Sequence, residues 1–420
     1  VKRALKRATA TGWTPAADRT RTIRTPIQTA RTRRALARSI EPVEADRFLD
    51  EYWEKKPLLV PRDEEGRFHD LLSIAEVERR VAEGGLRWPA FRVVKEGEKI
   101  VLSDYTEDIP WSPKPFSGTA RVESVAAEFE RGATIVLQAL QVQHSPLAEF
   151  CRDLEAELGH PVQANAYYTP ASAQGFPVHH DTHDVFCLQV EGEKRWLVYP
   201  PVLELPLKDQ KYVPEMGEPG EAVLDVTMQA GDTLYLPRGW LHQAMTSDAA
   251  SLHLTVGVNV ATWRDAVREA LDEAAREDVE LRRGVSPAGK APDGLLESLA
   301  GRLTPDAVSA RRRRSFVETR RPVRDDAFDQ LRALEDLDLE TPIERRRTVI
   351  ADLSVGDEAA LSFEGRELSF PAFVATDLAF LLEIDEPFRP GDLPGPLDDE
   401  GRLVLVRRLV REGLLRIRPD

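Results

Sequence analysis

The chain has 420 residues, of which 42% are hydrophobic and 31% charged, and a formal net charge of -15. This length and apolar content support several domains with their own cores and exclude a globally disordered chain. The charge is uneven: residues 1–40 hold eleven Lys/Arg and one acid, Asp18, a balance of +10 that leaves -25 on the other 380 residues. An acidic body repels nucleic-acid phosphates and suits a basic partner.

Residues 1–40, rich in Arg, Thr and Ala, read as a disordered tail outside the fold. A transit-peptide-like stretch or an RNA-touching arm are the alternatives. No run of 18 apolar residues exists and no apolar segment follows the N-terminal basic residues, so neither a membrane span nor a secretory signal is expected. Two cysteines, Cys151 and Cys187, cannot build a disulfide framework and point to a reducing, intracellular (cytoplasmic) setting.

From Val43 to Trp53 the apolar spacing predicts a helix, and Lys55 to Val60 leads into a strand. Leu71 to Gly84 reads as a second helix. Residues 85–260 read mostly as short strands, the first pair joined at Glu96-Gly97, with a helix from Ser145 to Leu158. The strongest strands are Asp184 to Gln189, Arg195 to Tyr199, Asp232 to Leu236 and Leu252 to Val258, which fits a barrel or sandwich. After Val260 the pattern turns helical: Trp263 to Arg282, with Ala266, Ala270 and Ala274 four apart, then Gly294 to Leu303 and Ala327 to Leu337. The run Arg311 to Arg314 reads as a solvated helix face or an acid-binding patch. Residues 346–420 read as a strand (Ala359 to Phe363), a helix (Phe370 to Leu382), a second helix (Glu400 to Glu412) and a terminal strand (Leu414 to Ile417). Residues 351–420 carry fifteen acids and eight Arg, a balance of -7 that argues against a DNA-reading wing.

Five of the eight histidines fall between 179 and 253. His179-x-Asp181 is followed by Gly231-x5-Pro237-x-Gly239-x2-His242. Two imidazoles and one carboxylate can hold Fe(II) on one face and leave the other open. On a strand, residues two apart point to one side, so His179 and Asp181 can converge while His180 points away. Lys194 precedes the apolar run Trp196 to Tyr199 and shares its face with Trp196 and Val198 if the strand is regular. A lysine facing a barrel interior is costly unless an anion pairs with it. The alternative is a solvated Lys194 in the Glu191-Gly192-Glu193 turn.

The second metal segment resembles the cupin superfamily motif, with Thr246 where Asn is common. Phe48-Leu49-Asp50-Glu51-Tyr52-Trp53-Glu54-Lys55-Lys56-Pro57-Leu58, Asn165-Ala166-Tyr167-Tyr168-Thr169-Pro170, His179 to Phe186 and Gln189 to Trp196 resemble the JmjC/cupin-type ribosomal oxygenases. These are Fe(II)- and 2-oxoglutarate-dependent protein hydroxylases that also use dioxygen. The resemblance implies a mainly β catalytic core, a double-stranded β-helix (cupin/JmjC barrel) with flanking helices over residues 41–262. It also implies a helical, dimerisation-like region over 263–345 and a winged-helix-like domain over 346–420. It implies His179, Asp181 and His242 as iron ligands, Lys194 as the partner of the far carboxylate of 2-oxoglutarate, and Asn165 and Tyr167 lining the same pocket. Thr255 and Gly257 stand where the family often offers a hydroxyl toward the co-substrate, which Gly257 cannot provide. The implied substrate is a basic ribosomal protein, and the implied assembly a homodimer. Two other readings stay open: an oxygenase that hydroxylates or demethylates a small molecule or another peptide, and a non-catalytic metal-binding cupin scaffold. His180 and His183 are expected beside the ligands or exposed, His253 as a buried hydrogen-bonding histidine, and Arg238 as a turn or surface residue.

Overall fold

The apolar runs between 133 and 258 pair into two antiparallel sheets in the computed structural model, which describes residues 21–24, 34–83, 85–285, 287, 289, 294–323 and 326–418. The larger sheet has eight strands in the order Leu58–Val60, Thr233–Leu236, Asp184–Glu191, Ser251–Val258, Val162–Thr169, Thr134–Leu137, Phe91–Lys95 and Glu98–Lys99. The smaller has four, in the order Leu224–Met228, Lys194–Tyr199, Leu241–Met245 and Gln174–His179. Period-two patterning decides which side chains meet. Along Val162–Thr169, the residues Val162, Ala164 and Ala166 face outward into a core shared with Phe48, Val77, Leu147 and Leu154 of the covering helices. The inward face of the large sheet supplies Val185, Cys187, Leu234 and Leu236, which pack on Trp196, Val198, Met228 and Ala244 of the small sheet. The central strand Ser251–Val258 is buried at every residue because both of its faces are covered. This is the double-stranded barrel expected from the sequence.

The described chain divides into two compact units. One comprises residues 34–327 with 347–350; the other comprises 328–346 and 351–418 with the strand Arg21–Arg24. The barrel lies in the first unit, which also holds the helices Trp263–Glu277 and Pro305–Thr319. Ala266, Ala270 and Ala274 form the buried stripe of Trp263–Glu277, as their spacing predicts. The helix stops at Glu277 rather than continuing to Arg282, because Asp278 is extended and its side chain caps the short helix Val279–Arg282. The Arg311 to Arg314 run is not simply solvated: Arg312 reaches Glu269 at 3.2 Å and Arg314 reaches Glu273 at 2.8 Å. Helix Ser145–Leu158 has its expected bounds and ends on left-handed Gly159.

Two segments assigned to the N-terminal tail are ordered elements. Arg34–Ile40 is a helix with Ala35, Leu36, Ser39 and Ile40 buried, and the Glu157 carboxylate accepts from the backbone N–H of Ala35 and Leu36 at 3.0 and 2.7 Å. A distant carboxylate satisfies the orphan donors of the first turn, which no local cap signal announces. Arg21–Arg24 is a strand antiparallel to Ala351–Val355. The remainder of residues 1–33 lies outside the described residues.

In the second unit, Arg21–Arg24, Ala351–Val355, Glu358–Phe363 and Arg366–Pro371 form one sheet, and Ile343–Arg345 pairs with Leu415–Ile417. The helices are Ala375–Glu383 and Asp399–Glu412. Of these six strands the sequence reading missed four, Arg21–Arg24, Ile343–Arg345, Ala351–Val355 and Arg366–Pro371, and it began a helix at Phe370, which belongs to the last of them. Glu364 and Gly365, at φ 45° and 73°, make the two-residue turn that joins the last hairpin.

Candidate metal centre and its buried anion pocket

His179 ends its strand, His242 is the second residue of Leu241–Met245, and the two are direct cross-strand partners. Asp181 follows on the loop, where its carbonyl accepts from the Gly239 N–H at 3.1 Å. Gly239 has φ +90°, and a Cβ there would stand 2.5 Å from the Leu203 carbonyl oxygen. Only glycine fits that close approach, so the Pro237-x-Gly239 turn fixes both segments that carry the candidate ligands at once.

One ligand atom from each of His179, Asp181 and His242 lies within 4.8 Å of the others. His242 Nε2 is 3.8 Å from Asp181 Oδ2, and the two imidazole centroids are 4.4 Å apart. The other nitrogen of each ring donates to a backbone carbonyl: His179 Nδ1 to Pro177 O at 2.8 Å, and His242 Nδ1 to Trp240 O at 3.0 Å. A carbonyl only accepts, so Nδ1 carries a proton in both rings, which makes Nε2 the nitrogen turned toward the other ligands. Burial, reinforced by His179, pushes the His242 pKa down to about 4, so its ring is neutral at pH 7. Burial works against the Asp181 carboxylate, but His183, His242, His179 and His180 together hold its pKa below the usual range. Neutral imidazoles and an ionised acid are the protonation states that a divalent cation requires.

Further along the small sheet, Lys194, Trp196 and Val198 face inward. Lys194 is 2% exposed, which rules out a solvated turn position. Its ammonium donates to Thr169 Oγ1 at 3.0 Å, and Thr134 Oγ1 donates to the same hydroxyl at 3.1 Å. Among the described residues no carboxylate pairs with it. Burial pushes its pKa down to about 7. Nearby, His253 Nδ1 and Trp196 Nε1 are buried without a hydrogen-bond partner among the described residues. His253 stacks on Tyr167 with centroids 4.9 Å apart and meets Trp196 edge-on at 5.5 Å. Buried polar groups are normally satisfied. One unpaired ammonium and two orphaned ring nitrogens in one interior are the lining that a small polar anion would complete.

Tyr167 and Asn165 both face this interior. Burial, with Asp181 next, pushes the Tyr167 hydroxyl up to about 12. Asn165 Oδ1 accepts from Ala139 N at 3.0 Å, which holds Ala139 in its left-handed conformation and leaves the amide NH2 for another partner. Some expectations shift. His180 is buried and hydrogen-bonds to the Gln210 carbonyl at 2.9 Å. His183 fills the space that Gly257 leaves, its Cε1 lying 3.1 Å from where a Cβ would be. Arg238 is buried rather than superficial, paired with Asp184 at 3.1 Å and with Glu54. The sequence reading missed Thr169, Thr134 and Arg92. Arg92 stands over Phe176 at 5.6 Å, and Phe176 lies against His179. The alternation Gln163, Asn165, Tyr167, Thr169 against Val162, Ala164, Ala166 was the signal for Thr169.

A barrel with two histidines and an aspartate at one end of its interior and a buried lysine on the same inner wall defines the JmjC type of cupin. Residues 136–266 match the family described as JmjC domain. It is 32% identical over 288 residues to ribosomal oxygenase 1 of Gallus gallus, covering 66% of this chain and 45% of that one. It is 31% identical over 309 residues to ribosomal oxygenase 2 of Mus musculus, covering 67% and 63%. It is also 31% identical to the bifunctional lysine-specific demethylase and histidyl-hydroxylase NO66 of Drosophila persimilis, covering 60% and 36%. The chain thus spans between about a third and two thirds of the length of these relatives. Escherichia coli ribosomal oxygenase YcfD, solved with cobalt and 2-oxoglutarate, has the same fold. The match has a TM-score of 0.56 at 18% identity and covers 90% of this chain and 99% of that one.

Proposed function

We propose that this protein is an Fe(II)- and 2-oxoglutarate-dependent oxygenase that hydroxylates a side chain of a basic ribosomal protein. The observation that carries this reading is Lys194: an ammonium buried without a carboxylate, on the inner wall that also presents His179, Asp181 and His242. A metal-binding scaffold has no use for such a group, whereas a dicarboxylate co-substrate completes it. The two relatives named ribosomal oxygenase support the substrate class.

His179, Asp181 and His242 would hold the metal, and Lys194 with Thr169 would hold the far carboxylate of 2-oxoglutarate. Asn165 and Tyr167 would line the remaining wall. When bound, Fe(II) with 2-oxoglutarate and dioxygen supplies the oxidation that turns a C–H into C–OH and releases succinate and carbon dioxide. The chain contributes position and dryness. The Nδ1–H bonds to Pro177 and Trp240 aim both imidazoles, and the packing of Trp196, Val198 and Cys187 keeps water from the interior. The acidic balance of the body agrees with a basic protein partner, and the C-terminal balance of -7 with a role other than DNA reading. A cytoplasmic location, a homodimer built on the 263–345 helices and a winged-helix-like character for the C-terminal unit belong to the same proposal. No helix among the described residues is long and apolar enough to cross a membrane.

The test has two parts. With Fe(II) present, wild-type protein should consume 2-oxoglutarate and Asp181→Ala should fall to background. Intact-mass spectra of ribosomal proteins from cells lacking this protein should show one of them lighter by a single oxygen atom. Absence of any 2-oxoglutarate consumption removes the oxygenase reading; unchanged ribosomal masses move the substrate elsewhere.

A further inference from the structure

Asp181 is the one proposed metal ligand that no strand holds. His179 and His242 are fixed by cross-strand pairing, but Asp181 lies on the loop between Gln174–His179 and Asp184–Glu191. Two consecutive N–H groups of the Pro237-x-Gly239 turn grip that loop at both ends. Gly239 N donates to the Asp181 carbonyl at 3.1 Å, and Arg238 N donates to Asp184 Oδ1 at 3.2 Å.

Asp184 is fully buried, and its carboxylate closes a circuit. Oδ1 also accepts from Arg238 Nη1 at 3.1 Å, and Oδ2 accepts from Tyr235 Oη at 2.6 Å. The same Arg238 nitrogen reaches the Glu54 carboxylate, and the Glu54 N–H donates to Tyr235 Oη at 2.9 Å. Four side chains from three segments are thus joined in one ring of hydrogen bonds that includes the Glu54 amide. Tyr235 is itself locked by its neighbours, edge-on to Phe48 at 4.8 Å and stacked on Trp53 at 6.0 Å. Glu54 has φ 57°, a left-handed backbone that a non-glycine residue keeps only where its surroundings hold it.

A buried ion pair adds little net stability over an apolar substitute of the same volume. What this one adds is direction, because a carboxylate that accepts three hydrogen bonds cannot turn. We propose that Asp184 and Arg238 are positioning residues, whose ring with Glu54 and Tyr235 sets where the Asp181 carboxylate meets the metal. The inference rests on the metal-centre reading and extends it to residues beyond the three ligands and the Lys194 pocket. Asp184 follows Asp181 by only three residues, so the loop has little slack. A loosened ring lets the Asp181 carboxylate drift while the two imidazoles keep their places on paired strands. The cost falls on metal affinity and ligand arrangement more than on the fold.

The experiment is titration of the metal-free full chain with Co(II), followed by visible absorption, which reads affinity and ligand arrangement together. The double variant Asp184→Asn/Arg238→Met removes both charges at once, so no unpaired carboxylate is left at position 184. It should bind Co(II) about tenfold or more weakly and with an altered spectrum. Tyr235→Phe, which removes one hydroxyl and keeps the ring, should weaken binding about threefold. Arg320→Met is the control. It breaks another buried pair, Arg320 with Glu155 at 3.2 Å, and should lower the melting temperature while Co(II) affinity and spectrum stay as in wild type. Wild-type affinity and spectrum in both ring variants overturn the proposal. So does an equal loss in Arg320→Met, since general loosening then accounts for the effect. If the double variant does not fold, Tyr235→Phe decides alone. Wild-type protein that binds no Co(II) sinks the metal-centre reading and the ring's role with it, whereas Co(II) binding that neither ring variant changes sinks the ring's role alone.

Discussion

On the outward face of the eight-stranded sheet, Phe186, Leu188, Leu252, Leu254, Val256 and Val258 pack into a continuous apolar core under the covering helices. On the inward face these strands and the neighbouring Val162–Thr169 carry Asn165, Tyr167, Thr169, Gln189, His253 and Thr255. Both faces are largely buried, and a one-residue shift of register would exchange them. The outward face gains stability from removal of apolar area, at roughly 25 cal/mol per Å². The inward face gives up part of that gain to keep polar atoms dry and incompletely satisfied. Such an arrangement persists where a ligand completes it.

Three substitutions or conditions sharpen this contrast. The largest effect belongs to the outward face. Leu254→Ala should destabilise the protein by about 2–5 kcal/mol, seen as a lower denaturant midpoint. Its remaining folded fraction should bind 2-oxoglutarate with unchanged affinity; a loss of affinity would show that the faces are not separable. Next comes Lys194→Met on the inner wall. Removing the charged hydrogen-bond donor should weaken 2-oxoglutarate binding by about 1.5–3 kcal/mol, read by calorimetry. The ligand-free melting temperature should not fall, because an unpaired buried ammonium is replaced by an apolar chain of similar volume. A marked fall would mean that Lys194 holds the barrel together rather than serving a ligand.

The smallest effect is on pH. Burial puts Lys194 at about 7 in the ligand-free fold, against roughly 10.4 in an unfolded chain. Between those values the unfolded state binds the extra proton, so the Lys194 contribution makes ligand-free stability rise with pH from about 7 to about 10. A dicarboxylate needs the ammonium form. Binding above pH 7 should therefore take up a proton, and affinity should fall by up to about tenfold per pH unit. Calorimetry at pH 8 in two buffers of different ionisation enthalpy reads the proton directly, and equal apparent enthalpies would contradict the pairing.

The parts of this molecule legible in the sequence are those whose cause is local or periodic. His179-x-Asp181 and the turn before His242 could be found from residue types and spacing, with one obligate glycine fixing the turn, although Asp181 sits on the loop after the strand and not on the strand that the spacing argument assumed. Lys194 could be found because a charge interrupts an apolar face. What escaped depends on partners far along the chain. The Arg34–Ile40 helix takes its cap from Glu157, more than a hundred residues away. The arginines at 312 and 314 are neutralised by Glu269 and Glu273 of another helix. The hairpin at Glu364-Gly365 is different, since its signal was present: the same dipeptide at 96–97 was read as a turn, and both show positive φ at each residue.

The contact between Glu157 and the first turn of Arg34–Ile40 bears on how the protein tolerates trimming. Its carboxyl sits at about 7 because burial outweighs the two amide donors. A protease that clipped the chain at residue 41 would remove both donors and uncover the pocket that Leu36 and Ile40 fill. The arginine-rich stretch, which looks dispensable as text, thus contains a plug for the core of the barrel unit.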